Sequence, residues 1–157
     1  MDPSAVSVTE TAFAVDLEAR IRIAAPAARA WEVLSDTGAY RDWNPFVTRF
    51  DGELRAGARV GVELSIPGRS PQQMRPRIVE VTPGSSFAWR GSVGPRGIFD
   101  GHHRFALLPV DDDASEFVQS ERLSGLLVPM FKGMLAGPTP AAFAAFNDAL
   151  RERVENG

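Results

Sequence analysis

The chain has 157 residues, of which 44% are hydrophobic and 24% charged, and its formal net charge is −3. This composition predicts one soluble globular domain, residues 1–157, and the acidic balance, with no basic stripe carrying interleaved aromatics, excludes a nucleic-acid partner. The absence of cysteine excludes disulfides, thiolate metal sites and a cysteine nucleophile, and it fits a cytoplasmic protein.

Neither end of the chain suggests export or membrane insertion. Residues 1–11 are polar and lack the apolar core of a secretory signal, so we expect a flexible or poorly packed N-terminus. The longest apolar run, residues 125–131, is broken by Pro129 and is too short to cross a bilayer. We therefore expect no membrane span.

The first predicted elements are a long strand and two short helices. Over residues 13–23 apolar side chains alternate with charged ones, Asp16, Glu18, Arg20 and Arg22, which is the pattern of a half-buried strand. A short helix follows Pro26, and a further helical turn covers residues 40–43 before Pro45 restores extended structure. We interpret Trp31 and Trp43 as structural anchors of these helices.

Strand patterns dominate the middle of the chain. They cover residues 46–50, 60–66, 73–81, 87–93, 99–110 and 116–123, separated by turns rich in glycine, proline and aspartate. Pro76 cannot donate a ladder hydrogen bond, so it predicts an edge position or a bulge. The apolar connection at residues 125–137 is expected at the mouth of the core, partly as helix.

The last element is a long amphipathic helix over residues 139–155. Phe143, Phe146, Leu150 and Val154 share one stripe, with Thr139 as the predicted N-cap and Pro140 in the first turn. The element order predicts an α+β fold, a curved antiparallel sheet of about seven strands around this helix. Alanines beside the stripe predict an elongated unfilled cavity between the sheet and the helix.

The period of two in the last hairpins assigns side chains to faces. It places His103, Phe105, Gln119 and Glu121 on the apolar, inward face. Counting back across the loop at residues 110–114 sets His103 opposite Glu121 and Phe105 opposite Gln119, and counting across residues 94–98 sets Trp89 beside His103. The sequence therefore predicts a polar pair in an apolar pocket.

Three roles are open for that pair. His103 and Glu121 could satisfy each other structurally, orient a ligand hydroxyl or carbonyl, or act as catalytic acid and base. Arg75, Arg77 and Arg90 could place positive charge at one end of the cavity, although such side chains more often lie over a sheet edge. His102 and His103 face opposite sides of their strand, so we predict no metal site, and we predict no cofactor.

Several segments resemble the START-like or Bet v 1-like (SRPBCC) superfamily, most closely its bacterial polyketide cyclase/dehydrase-type members. They are APAARAWEVLSDTGAYRDWNPF (25–46), PGSSFAWRG (83–91), the FDGHHRFALLPV and SERLSGLLVP strands, and the aromatic last helix. The resemblance covers nearly the whole chain. It implies the helix-grip fold, while the superfamily's carriers, cyclases, lipid-transfer proteins and chaperone activators leave the chemistry open.

The sequence and the resemblance together favour a protein that binds a hydrophobic small molecule of polyketide, aromatic or lipid type. The predicted contacts are Trp89, His103, Phe105, Gln119, Glu121, Phe143, Phe146, Leu64 and Tyr40. The first alternative is a cyclase, aromatase or dehydratase that uses His103 as acid or base, oriented by Glu121. The second is a chaperone-activator-like interaction module. We expect a monomer or homodimer.

Overall fold

The computed structural model describes residues 2–157 and confirms the α+β arrangement. The strands are β1 (Ala5–Glu10), β2 (Ala14–Ile23), β3 (Val47–Asp51), β4 (Gly61–Leu64), β5 (Gln72–Met74), β6 (Arg77–Thr82), β7 (Ser86–Ser92), β8 (Asp100–Asp111) and β9 (Ala114–Ser124). The helices are α1 (Ala27–Ser35), α2 (Tyr40–Trp43), α3 (Val128–Ala136) and α4 (Pro138–Asn156), with a 3₁₀ turn at Thr37–Ala39. None of the helices in this range is long and apolar enough to span a membrane.

The N-terminus differs from the expectation of a flexible or poorly packed segment. Met1 lies outside the described residues. Most of the rest of this segment forms β1, which pairs antiparallel with β2 over its whole length. Its side chains are nevertheless exposed. The polar sequence predicted the exposure but not the strand, because an edge strand gains its stability from backbone hydrogen bonds that any side-chain pattern permits.

The strands form a six-stranded sheet, ordered β1-β2-β9-β8-β7-β6, and a three-stranded sheet, β3-β4-β5. The two are joined where Arg59 pairs with Arg77, with hydrogen bonds from Val60 N to Pro76 O (3.0 Å) and from Ile78 N to Ala58 O (2.8 Å). The predicted strand 73–81 is thus two strands separated at Pro76. This split and the unforeseen β1 account for nine strands instead of about seven. The predicted edge position of Pro76 agrees with the topology, because β5 and β6 are each the last strand of their sheet.

Helix α4 covers the inner face of the six-stranded sheet. It begins at Pro138 with Gly137 as N-cap, so the expectation of Thr139 as N-cap was wrong. Thr139 lies inside the first turn, where its hydroxyl donates to Met134 O at 3.2 Å.

Aromatic side chains fill most of the space beneath α4. The Phe146 ring lies 5.6 to 5.9 Å from four other aromatic rings, those of Tyr40, Trp43, Phe105 and Phe117. The prediction of a continuous cavity along α4 was therefore wrong, because the large rings on the apolar stripe of α4 fill the space that its alanines leave open. Trp31 and Trp43 are half-buried and pack against this core.

The connection after β9 closes one end of the domain, as expected. Gly125, with φ of +130°, turns the chain so that Leu126 N and Leu127 N donate to Gly97 O and Ile98 O at 3.0 and 2.9 Å. Helix α3 follows at once. Its position leaves a space between its C-terminal half and the sheet.

Candidate functional site

A cavity of about 420 Å³ lies at the end of the domain where α3 meets the start of α4. Its wall is mostly apolar, with contributions from β4, β5, β7, α3 and the paired ends of β8 and β9. The principal lining residues are Phe46, Leu64, Ile66, Met74, Trp89, Phe99, Leu123, Met134 and Leu135, with Gln72, Gln73, Ser92, Thr139 and Glu121 as polar members. Glu121 is the one titratable side chain in this lining, so any charge on the wall resides there.

The register of the two hairpins brings the predicted polar pair together. His103 lies directly opposite Glu121 in β9 and opposite Trp89 in β7, and Phe105 lies opposite Gln119. The predicted register is confirmed. His103 is 1% exposed, whereas the Glu121 side chain is 15% exposed toward the cavity.

The two polar side chains are in direct contact. His103 Nδ1 lies 2.5 Å from Glu121 Oε2. The imidazole ring stacks on Phe105, with ring centroids 4.3 Å apart and planes 6° from parallel, and also contacts Phe143 at 4.8 Å. The ring is therefore fixed between aromatic neighbours and cannot turn away from Glu121 without disturbing the core.

A chain of buried amides fixes the other side of the imidazole. His103 Nε2 lies 2.9 Å from Gln119 Oε1, and Gln119 Nε2 donates to Phe143 O at 3.3 Å and to Asn147 Oδ1 at 2.7 Å. Asn147 Nδ2 in turn donates to Ser4 Oγ at 3.0 Å, whose hydroxyl donates to Arg20 O at 3.3 Å. The donors thus run in one direction, from the histidine to a backbone carbonyl.

This direction determines where the imidazole carries hydrogen. Both N–H groups of Gln119 are used, so its Oε1 must accept from His103 Nε2. If neither Nδ1 nor Glu121 Oε2 carried a hydrogen, two acceptors would face each other across 2.5 Å, a contact that they cannot make. One proton therefore lies between the two side chains, as imidazolium with carboxylate or as imidazole with carboxylic acid.

The second carboxyl oxygen of Glu121 remains available to the cavity. No donor among residues 2–157 is bonded to Oε1. Gly101 leaves the space beside it open, since a Cβ on Gly101 would sit 3.9 Å from Glu121 Oε1 and 3.4 Å from Leu123 Cδ2. A ligand hydroxyl, carbonyl or acidic C–H can approach the carboxyl group there.

The predicted contact residues divide into two groups. Trp89, Glu121 and Leu64 line the cavity. The structure corrects the placement of the other predicted contacts, which lie in the wall behind the lining: His103, Gln119, Phe105, Phe143, Phe146 and Tyr40. Their rings and amides pack against each other under α4, so they act on a ligand only through the lining.

Tyr40 is the predicted ligand contact whose position is most clearly structural. Its hydroxyl donates to Leu34 O and its side chain is fully buried. Burial, with a smaller contribution from Asp36, raises the pKa of the Tyr40 hydroxyl far above its usual range, so it stays neutral. Tyr40 anchors α2 on the core.

Sequence reasoning missed three residues of the site: Asn147, Ser4 and Gly101. Asn147 carried a readable signal, because it is a polar residue between Phe143 and Leu150 on the apolar stripe of α4, and a fully buried amide needs partners. The other two lie in segments whose placement depends on tertiary pairing.

His102 faces the outer side of the sheet, as predicted. Burial and, secondly, the charge of Arg90 lower the pKa of its imidazole. Within residues 2–157 there is no group of three or more His, Cys, Asp or Glu side chains arranged to hold a metal ion.

Comparison with solved structures shows the same fold at low sequence identity. The Zhui aromatase/cyclase from Streptomyces sp. R1128 has a TM-score of 0.74 and 20% identity, covering 90% of this chain and 94% of that one. Norcoclaurine synthase from Thalictrum flavum has a TM-score of 0.66 and 17% identity, covering 100% and 98%. A START superfamily protein from Mycobacterium smegmatis has a TM-score of 0.66 and 21% identity, covering 89% and 97%.

Sequence comparison gives the family. No curated protein matches this chain significantly. A family model described as polyketide cyclase / dehydrase and lipid transport matches residues 14–155, which include every strand from β2 onward and all four helices except the last residue of α4. The chain is therefore a member of the polyketide cyclase/dehydrase and lipid transport family, with the helix-grip fold of the START-like superfamily.

Proposed function

We propose that the protein binds a hydrophobic small molecule of polyketide, aromatic or lipid type in the 420 Å³ cavity, and that Glu121 orients it through Oε1. The observation that carries this proposal is a single carboxyl group in a mostly apolar and otherwise uncharged wall, in contact on its far side with a buried histidine. A pocket of this composition gives affinity through apolar contact and orientation through few polar groups. The family and the solved aromatase/cyclase support a ligand-binding role.

The most direct test is native mass spectrometry of freshly purified protein, with affinity measured for any compound that copurifies or for an aromatic polyketide surrogate. Leu64→Trp should reduce binding by filling the cavity from β4. Leu108→Trp is the matched control, since Leu108 is exposed at 44% on the outer face. Equal affinity in the parent and in Leu64→Trp would place the ligand elsewhere.

The contribution of Glu121 can be measured separately. Glu121→Gln keeps the shape and a hydrogen bond to His103 but removes the shared proton, and it should weaken binding by about 1–3 kcal/mol if a ligand hydroxyl donates to Oε1. Glu116→Gln, on the outer face of the same strand, is the control. Unchanged affinity in Glu121→Gln would show that apolar contact alone determines binding.

Acid–base catalysis is the second candidate, and the proton held between His103 and Glu121 favours it. As carboxylate, Glu121 can accept a proton from the ligand at Oε1 while His103 retains its proton at Nδ1. The carboxylic acid formed in this way carries its new proton at Oε1 and can return it to the ligand or product from there, while His103 keeps its own proton at Nδ1 throughout. The geometry thus favours Glu121 as the group facing the ligand and His103 as its positioning residue, the reverse of the sequence-based assignment.

Binding and catalysis separate in the variants. If Glu121 transfers protons, Glu121→Gln should keep most of the affinity while turnover falls by about 10²–10⁴-fold. His103→Gln should lower turnover and change its pH profile, because it removes the partner that holds the proton. Product formation that is equal in the parent and in both variants would leave binding as the only role.

A further inference from the structure

A row of basic side chains crosses the outer face of the sheet. Arg59 lies directly opposite Arg77, and Arg77 lies opposite Arg90. The series continues with His102 opposite Arg90 and Arg122 opposite His102. Opposed residues of an antiparallel pair share one face with Cβ atoms about 4.5–5.5 Å apart, so like charges there destabilise the sheet. We call Arg59, Arg77 and Arg90 the arginine row.

The positive charge is compensated at only one end of this series. Arg122 forms an ion pair with Asp16 at 2.9 Å. No member of the arginine row has an ion pair within residues 2–157, and Arg59 and Arg77 donate only to backbone carbonyls, Arg75 O at 3.0 Å and Gly57 O at 2.9 Å. Asp100 lies near Arg96 and Arg90, but it accepts hydrogen bonds from Ser92 Oγ and Gly97 N and forms no ion pair with either arginine. Three permanent charges are thus left facing solvent.

The arginine row forms part of a groove of about 710 Å³. Arg75 and Arg96 add two more guanidinium groups, and no Asp or Glu among the described residues lines it. Five cationic groups therefore meet on one surface of a protein whose net charge is −3. A concave surface of one sign concentrates field and attracts counter-ions.

The groove adjoins the candidate ligand cavity. Gln73, Met74, Gly91, Ser92 and Val93 line both. The two spaces meet because β6 leaves β7 at Pro76, where the ladder between them ends at Arg77 and Arg90. Met74 and Pro76 lie between β5 and the end of β7, where a Cβ on Gly91 would be 3.3 Å from Met74 Cε and 3.6 Å from Pro76 Cβ.

We infer that this groove is an anion-binding site for a phosphate-bearing group. Phosphate offers three acceptor oxygens and up to two negative charges, so it can engage several guanidinium groups at once, whereas a carboxylate offers two oxygens and one charge. Binding relieves the repulsion within the arginine row. If the ligand cavity is occupied as proposed above, one amphiphile can place its apolar part there and its phosphate in the groove, and this second step rests on that proposed function.

The anion site is tested without reference to the cavity. Binding of inorganic pyrophosphate is measured by calorimetry at low ionic strength for the parent and for the double variant Arg77→Gln/Arg90→Gln. The affinity should fall by about tenfold or more in the double variant. Arg49→Gln/Arg55→Gln is the matched control, because it makes the same change in net charge at two exposed arginines outside the groove, and it should bind like the parent.

The melting temperature provides a second measurement, which can also be made on variants that bind the anion weakly. Without added anion at low salt, Arg77→Gln/Arg90→Gln should melt above the parent, because it removes opposed like charges. With saturating pyrophosphate the order should reverse, since only the parent gains from binding. Single Arg90→Gln serves if the double variant folds poorly, because Arg90 makes no side-chain hydrogen bond in the described residues.

Two further arms identify the source of the phosphate and test the link to the cavity. Decyl phosphate should bind more tightly than inorganic phosphate, with the gain lost in Leu64→Trp. Vesicles of phosphatidylglycerol, compared with vesicles of phosphatidylcholine, test whether the phosphate belongs to a lipid headgroup. Loss of decyl phosphate binding or of vesicle binding in the arginine double variant supports the site. Pyrophosphate binding without a decyl gain supports the groove and rejects its link to the cavity. Equal pyrophosphate affinity in the parent, the double variant and the control overturns the inference.

Discussion

Asn147 of α4 accepts a hydrogen bond of 2.7 Å from the side-chain amide of Gln119 of β9, across the interface between helix and sheet. Both residues are fully buried. The bond links the imidazole of His103 to the N-terminal strand, because Asn147 also donates to Ser4. The candidate site therefore depends on residues at both ends of the chain.

Asn147→Ala should lower the free energy of unfolding by about 1–3 kcal/mol. It removes the acceptor of one buried N–H of Gln119, while the other N–H keeps its longer contact to Phe143 O. Denaturant unfolding measures the change. Asp148→Ala, one position along and exposed, should stay within about 0.5 kcal/mol of the parent, and similar losses in the two variants would contradict the role of the amide chain.

Phe146→Ala should cost about 3–5 kcal/mol, because it leaves a cavity among four aromatic rings. Phe13→Ala is the control. Phe13 is 54% exposed, and its side chain should contribute little. A small loss for Phe146→Ala would mean that α4 can collapse onto the sheet, and ligand affinity measured in parallel would show whether the neighbouring cavity changes with it.

Gly125→Ala should lower stability by about 1–3 kcal/mol and weaken the attachment of α3. Its φ of +130° is strained for alanine, and the added Cβ would lie 2.4 Å from Ile98 O. Gly133→Ala, inside α3 with no atom within 4 Å of the added Cβ, should instead stabilise by about 0.5–1 kcal/mol. Hydrogen exchange of α3 amides compares the two, and equal protection would contradict the anchoring role of Gly125.

Ser86→Ala should destabilise the protein at pH 7 and have less effect in acid. The hydrogen bond from Ser86 and, secondly, the contact with Arg104 lower the pKa of Glu80 from its ordinary value of 4.5. Between the lowered and the ordinary value the unfolded chain binds more protons, so this stabilisation is present above pH 4.5 and is lost as the pH falls through the folded pKa. Urea midpoints at pH 7 and 3 measure it. With Ser120→Ala as control, a difference from the parent that does not narrow in acid would contradict this assignment.

The register of the site could be predicted because two short hairpins connect its strands. The loops between β7, β8 and β9 fix the pairing, and the apolar faces select inward and outward residues, so Trp89, His103 and Glu121 meet as counted. The position of the cavity could not be predicted in the same way. It depends on how far the rings of Phe143 and Phe146 reach, which is a matter of packing volume rather than of periodicity.

The arginine row shows a second limit of sequence reading. Arg75, Arg77 and Arg90 were noted as a possible positive end of a cavity, but the alignment of Arg59 with them requires a pairing between strands that no hairpin count supplies. The net charge did not indicate the arginine row either, because a sum over the whole chain does not show which charges share one face.

Pro76 lies between β5, which lines the ligand cavity, and β6, which carries Arg77 of the arginine row. Residues before Pro76 pair with β4, and residues after it pair with β7. Both segments have the same register relative to β4 and the residues that precede it, because Met74 lies opposite Val62 and Arg77 lies opposite Arg59. Because side chains alternate along a strand, deleting one residue here while β5 keeps its register with β4 would turn Arg77 inward and Ile78 outward. The exposed loop at residues 67–71 can therefore vary without changing either surface, whereas an insertion or deletion at Pro76 would alter the apolar lining and the cationic face together.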